Sequence, residues 1–296
     1  MSPSRPLSPA LCRSWLFVGG TDAPRLAQIP GSGADAAILE FEDFTPPAER
    51  PAARAAAPAI LAAWRAAGLL PSARVNPLAG DGRADLAAVM AGRPAVIMLP
   101  KVRSPDDILV LDQAVTAEER RHGLSEGATR LVPNIESAAA LFQTQAIATA
   151  SPRVVGCLLA SEDLAADLGA PRTRAGGELA FARAFFHAAC VAAGRLSIDC
   201  PYTFADAEGA AAQATAAAAL GMTAKSLVEP AHARPINAAF TPDAAALAQA
   251  RRVAAAFAAA RARGEGRAQL DGHLLELPTL RNAEALLARA QALGAA

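Results

Sequence analysis

The stretch Leu131-Val132-Pro133-Asn134-Ile135-Glu136 is followed, one helix later, by Val154-Val155-Gly156-Cys157-Leu158-Leu159-Ala160 and then Ser161-Glu162-Asp163-Leu164, with Gly169 beyond. Each apolar run is too continuous for a half-exposed strand and short for a buried helix, so it reads as a strand covered on both faces. Parallel strands joined by helices bring their carboxyl ends to one rim, and there each of these two ends in an acid. Two hard oxygen donors, with coordination positions left for water and substrate, are what Mg²⁺ requires. The pair points to metal-assisted chemistry on a small, oxygen-rich substrate.

Outward from this segment the same pattern recurs. Mostly apolar runs fall at Trp15–Val18, Ala36–Phe41, Ala73–Asn76, Ala95–Pro100, Arg130–Ile135, Val154–Ala160, Leu196–Cys200 and Ala224–Val228. Amphipathic, alanine-rich stretches separate them, among them Glu49–Ala67, Ser137–Ala150, Arg174–Ala193 and Ala205–Ala219. Eight strands alternating with helices predict a (β/α)₈ TIM barrel over residues 1–240. A doubly wound sheet is the alternative, but it would carry a glycine-rich phosphate turn after the first strand, of which Gly19-Gly20-Thr21-Asp22 is a weak echo. Residues 241–296 form a C-terminal extension. It comprises a helix from Asp243 to Arg263, a break at Gly264-Glu265-Gly266, a turn-and-strand piece from Gln269 to Glu276, and a last helix stopped at Gly294. Such a tail is expected to pack across a barrel end or onto a neighbouring subunit.

The bulk numbers narrow the function classes. The chain has 296 residues, 53% of them apolar, enough for a large core. Its net charge is zero and its basic residues are scattered, so no field recruits nucleic acid or an anionic membrane. No uncharged apolar stretch is long enough to span a bilayer. Cys12, Cys157, Cys190 and Cys200 lack metal-ligand spacing, and the last three lie in apolar segments, as buried thiols do. Met1–Pro6 lacks the apolar core of a signal peptide, so a reducing cytoplasm is the expected compartment.

Catalysis in such barrels sits at the carboxyl ends of the strands. Strand two ends in Glu40-Phe41-Glu42-Asp43. Strand three carries Arg74 and Asn76, strand four ends in Lys101, strand five in Glu136, strand six in Glu162 and Asp163, and strand eight in Glu229. A single strand-end acid is more often a helix cap or an ion-pair partner. Together with an arginine, the acids suit a 2-oxo or 2-hydroxy acid. A metal chelates its carboxylate and carbonyl oxygens, and the guanidinium fork holds the same oxygens. That arrangement serves carbon–carbon bond making or breaking beside the carbonyl. Lys101 reads as a substrate contact or an internal ion pair, and Glu162 as a neighbour rather than a ligand. His122 and His187 lie in helical stretches, and neither His232 nor His273 has a clear partner.

Several motifs carry a resemblance. Arg13-Ser14-Trp15-Leu16-Phe17-Val18, Gly33-Ala34-Asp35-Ala36, Glu42-Asp43, Arg74-Val75-Asn76-Pro77-Leu78, Leu99-Pro100-Lys101-Val102, Pro133-Asn134-Ile135-Glu136-Ser137, Asp163-Leu164 with Gly169, and Asp271 to Pro278 are in family order across nearly the whole chain. In these the chain resembles the citrate lyase beta-subunit-like proteins, the citryl-, malyl- and citramalyl-CoA lyases of the HpcH/HpaI aldolase superfamily. The resemblance implies a Mg²⁺-dependent barrel, with Mn²⁺ as an alternative, that cleaves a 3-hydroxyacyl-CoA to acetyl-CoA and a 2-oxo acid or runs the reverse. It implies Glu136 and Asp163 as metal ligands, with Glu136 also at the substrate. Arg74 becomes the catalytic group at the oxo-acid end, and Glu42 and Asp43 orient metal waters or Arg74. It further implies a homotrimer or hexamer in which a tail acid reaches a neighbour's site as acid/base. Glu276 takes that position, one methylene longer than the family's aspartate.

The chain also departs from the family. Gly19-Gly20 replaces Pro-Gly. Asp22 and Gln28 stand where basic residues hold CoA phosphates, and Val228-Glu229-Pro230 replaces Ile-His-Pro. These exchanges bear on the thioester end more than on the metal centre. Two other functions therefore stand beside the acyl-CoA lyase: a metal-dependent aldolase on free 2-oxo acids, and a lyase subunit whose substrate rides on an acyl-carrier protein.

Overall fold

In the computed structural model, which describes residues 8–295, the chain divides into two compact units, one ending at Phe240 and one beginning at Thr241. The Met1–Pro6 stretch read above lies outside the described residues.

The first unit alternates strand and helix. It runs β1 (Ser14–Gly19), α1 (Ala23–Gln28), β2 (Ala36–Glu40), α2 (Arg50–Ala66), β3 (Leu70–Arg74), α3 (Gly82–Ala91), β4 (Val96–Leu99), α4 (Pro105–Arg121) and β5 (Arg130–Ile135). It continues with α5 (Ala138–Phe142), α6 (Thr144–Thr149), β6 (Gly156–Leu159), α7 (Glu162–Asp167), α8 (Ala180–Ala192), β7 (Leu196–Asp199), α9 (Ala207–Ala219), β8 (Ala224–Leu227) and α10 (Ala233–Ala239). The eight strands pair in parallel and in chain order, and β1 closes on β8. This is a (β/α)₈ barrel.

Two-residue alternation sorts each strand. Trp15 and Phe17 on β1, Ala36 and Ile38 on β2, Leu70 on β3, Val96 and Met98 on β4, Val132 on β5, Leu158 on β6 and Ile198 on β7 fill the barrel. The intervening residues pack under the helices in a larger core. Helix α2 buries Ala53, Ala57, Leu61 and Trp64, one stripe at helical spacing. Continuing the inward alternation to the carboxyl ends reaches Glu40 on β2 and Arg74 on β3, which are register partners.

Three element boundaries differ from the sequence reading. Strand β3 begins at Leu70 and ends at Arg74; Pro71 and Ser72, poor strand formers, mask its start. The Ser137–Ala150 stretch is two short helices broken at Gln143. Helix α8 starts at Ala180, after a left-handed Gly176 and a single 3₁₀ turn. All four cysteines are buried, and among the described residues no helix is long and apolar enough to cross a membrane.

The second unit holds α11 (Ala244–Ala262), a two-stranded hairpin of β9 (Ala268–Leu270) and β10 (His273–Leu275), and α12 (Leu277–Ala292). Its small core gathers Val253, Phe257, Ala260 and Leu280. Asp271 and Gly272, both at positive φ, make the hairpin turn.

Candidate active site

The carboxyl ends of the strands surround an open cleft lined by Phe17, Asp43, Phe44, Arg74, Asp163 and Thr203 among others. At its floor lies Arg74, 7% exposed. Its Nε donates to Glu40 Oε1 at 2.9 Å, and its terminal nitrogens lie 3.4 Å from Glu42 and 3.6 Å from Asp43. The guanidinium also lies over the Phe17 ring at 5.0 Å, a cation–π contact. Burial opposes the arginine's charge, but Glu40, Glu42, Glu136 and Asp43 more than offset it, and its pKa stays above the ordinary value.

Glu40 is fully buried. Its carboxylate accepts the backbone N–H of Glu42 and of Phe44, each at 2.6 Å, besides Arg74. The turn that follows is thereby folded over its own side chain. Arg50 reinforces it from α2 through the carbonyls of Phe41 and Glu42. The same turn accounts for Gly19-Gly20. A Cβ on Gly19 would meet the Phe44 carbonyl at 2.5 Å, one on Gly20 would meet Ala53 Cβ at 2.6 Å, and Gly20 N–H donates to Thr45. The glycine pair lets the turn bearing Glu42 and Asp43 lie against β1.

Glu136, just beyond β5, is 5% exposed, and one of its oxygens has no hydrogen-bond partner. Burial raises its carboxyl to about 7; Arg74 and the Lys101 backbone N–H pull it down, while Glu42 and Asp163 push it up. Asp163 sits exposed in the first turn of α7. A buried carboxylate with an idle oxygen, repelled by a nearby acid, is short of a positive charge, and a divalent cation fits that deficit. Among the described residues no three His, Cys, Asp or Glu side chains gather into a full metal cage. Two carboxylates that leave the other positions to water and substrate are the pattern suited to Mg²⁺.

Lys101 stands at φ 53°, strained for a residue with a side chain. In this conformation its Nζ pairs with Glu42 Oε1 at 2.6 Å while its N–H faces Glu136. The Lys101 side chain is half exposed in this ion pair, and the pairing raises the lysine's pKa. Burial in turn raises the Glu42 carboxyl, against Arg74 and Lys101. Asn76 is committed elsewhere, to the Phe41 carbonyl and Asp85. Glu162 accepts from Arg172 and Thr203, as a neighbour would. Glu276 is exposed at the N-cap of α12 in the second unit, with no capping hydrogen bond from its side chain.

The sequence reading missed two things. In the sequence Glu40 reads only as part of a strand end, although the inward period from Ala36 and Ile38 picks it out. Arg25 carries no sequence mark, yet it joins two of the departures. Its backbone N–H is capped by Asp22, and its guanidinium reaches the Val228 carbonyl at 2.7 Å and Glu229 at 3.3 Å. Gln28, at the end of α1, is exposed.

Comparison with known proteins adds a second line. Residues 13–230 match the model of one family, described as HpcH/HpaI aldolase/citrate lyase. The chain is 32% identical to citrate lyase subunit beta of Haemophilus influenzae, over 95% of this chain and 97% of that one. It is also 32% identical to the L-malyl-CoA/beta-methylmalyl-CoA lyase of Cereibacter sphaeroides, over 100% and 99% of the two chains. Among solved structures, Mycobacterium tuberculosis CitE in complex with magnesium, acetoacetate and coenzyme A superposes with a TM-score of 0.76 at 28% identity, covering 95% of this chain and 98% of that one.

Proposed function

The chain belongs to the HpcH/HpaI aldolase/citrate lyase family, and we propose that it is a Mg²⁺-dependent carbon–carbon lyase acting on a 3-hydroxyacyl-CoA of the malyl, citramalyl or citryl type. Acetyl-CoA and a 2-oxo acid are the products, or the substrates of the reverse condensation. The observation that carries this reading is Glu136: a buried carboxylate with an unbonded oxygen, between Arg74 and the Asp163 charge. Magnesium in the complex of the M. tuberculosis relative supports it.

Glu136 and Asp163 would hold the metal, which supplies Lewis-acid polarisation of the oxo-acid oxygens. Arg74 binds the same end of the substrate, and its guanidinium stabilises the oxygen on which charge develops as the hydroxyl becomes a carbonyl. As the Cα–Cβ bond breaks, the hydroxyl proton passes to the Glu276 carboxylate of a neighbouring copy and the bond's electron pair moves into the thioester enolate. A proton must then reach the enolate carbon, and Glu276 from the tail of a neighbouring copy is assigned that transfer. This assignment requires an oligomer, and a trimer or hexamer is the assembly we propose. Glu42 and Asp43 orient the water shell and Arg74 from the turn after β2. Lys101, released from Glu42, is within the same rim to meet the substrate.

One observation favours a second reading, a substrate carried by an acyl-carrier protein. Arg25, the cation between Asp22 and Gln28, is engaged with Glu229 and Val228 rather than open to a nucleotide phosphate. A discontinuous assay decides between them. Malyl-, citramalyl- and citryl-CoA are offered with Mg²⁺, beside the carrier-bound thioesters and free 2-oxo-3-deoxy acids. EDTA-sensitive release of acetyl-CoA and one oxo acid supports the lyase. Turnover of carrier-bound substrate alone selects the subunit reading, and turnover of free acids alone the aldolase.

A further inference from the structure

We propose that Glu40 is the positioning residue of this site. Its single buried carboxylate sets both the direction of the Arg74 guanidinium and the shape of the Glu42–Phe44 turn. Oε1 takes Arg74 Nε at 2.9 Å and Glu42 N–H at 2.6 Å, and Oε2 takes Phe44 N–H at 2.6 Å. The residue is fully buried, so no water substitutes for any of the three donors. Nε is the donor nearest the side-chain stem. Fixing it leaves the two terminal nitrogens pointing toward Glu42, Asp43 and the cleft. Glu40 and Arg74 are register partners on adjacent strands, so the clamp rests on rigid backbone rather than on a loop. Glu40 is not among the residues that line the cleft.

The activity part of this inference rests on the proposed lyase; the positioning part does not. Glu40→Gln keeps the shape but removes the charge and leaves Phe44 N–H facing an amide. Two measurements test it. The first is NMR of the Arg74 Nε–H proton in the intact protein. In the wild type it is expected to be shifted downfield and slow to exchange, and in Glu40→Gln its exchange accelerates about 10- to 100-fold, the range for losing a charge-assisted hydrogen bond. The second is a double-mutant cycle on kcat/KM. Glu40→Gln alone is expected to lower kcat/KM about 10- to 100-fold, and in an Arg74→Ala background to lower it less than about threefold, because the group it positions is gone. Glu40→Asp, charged but one methylene short, falls between. Unchanged Arg74 exchange, or equal losses with and without Arg74, overturns the proposal. Absence of turnover on every thioester refutes the lyase reading and leaves the NMR result to judge the clamp.

Discussion

Replacing Glu136 by glutamine is expected to stabilise the metal-free protein while destroying its metal site. Burial raises this carboxyl from an ordinary value of 4.5 to about 7. At about 1.4 kcal/mol per pKa unit, holding the ionised form in the fold costs about 3 kcal/mol. The sign follows from proton counts. Between pH 4.5 and about 7 the folded state keeps a proton that the unfolded state has shed, so stability falls as pH rises. Below 4.5 both states are protonated and the penalty is absent; above about 7 it is complete. Glu136→Gln carries no charge at any pH. In EDTA at pH 8 it should be more stable than the wild type by as much as about 3 kcal/mol, a shift in midpoint on the order of 5–10 °C for a barrel of this size. At pH 4.5 the two should converge. Trp15 and Trp64, both buried, report unfolding by fluorescence. Added Mg²⁺ should raise the wild-type midpoint and leave the variant unmoved. Stability differences that do not vary with pH, or a variant weaker than the wild type at pH 8, would refute the reasoning.

Three more outcomes are expected. Asp163→Asn should weaken Mg²⁺ binding, measured by calorimetry, by at least about 10- to 100-fold, with little change in the unfolding midpoint because the side chain is exposed. Glu276→Gln should cut kcat while leaving Mg²⁺ affinity intact; a loss of metal binding would remove Glu276 from the acid/base role. Gly20→Ala should cost about 1–3 kcal/mol in denaturant unfolding, because its methyl meets Ala53 at 2.6 Å.

Much of the barrel was legible because its strands are buried on both faces. Each is a short apolar run, and eight such runs in alternation with helices leave few topologies open. Where a run is interrupted, the strand is harder to see. Pro71 and Ser72 look like a turn, yet Ser72 sits fully buried as a β3 residue paired to Ile38 and Val96, held there by closure of the barrel rather than by its own propensity. The late start of α8 is local, set by left-handed Gly176 ahead of a 3₁₀ turn at the Gly176-Gly177 pair. For the site, Arg74, Glu42, Asp43 and Glu136 all come to one mouth, because strand ends in a parallel barrel have nowhere else to go. Glu40 was harder to see, since an acid in the last position of a strand has no sequence mark that separates an internal clamp from a ligand. Only the inward period does so. The pairing of Arg25 with Glu229 joins residues some 200 positions apart, which no local pattern encodes.

A crystal structure of the protein with Mg²⁺ and a 2-oxo acid tests the central claim most directly. The account predicts one cation at about 2.1 Å from a carboxylate oxygen of Glu136 and of Asp163, with remaining positions filled by water and the acid, and Arg74 on the acid's oxygens. A cation held elsewhere, or an oxo acid bound away from Arg74, would contradict it.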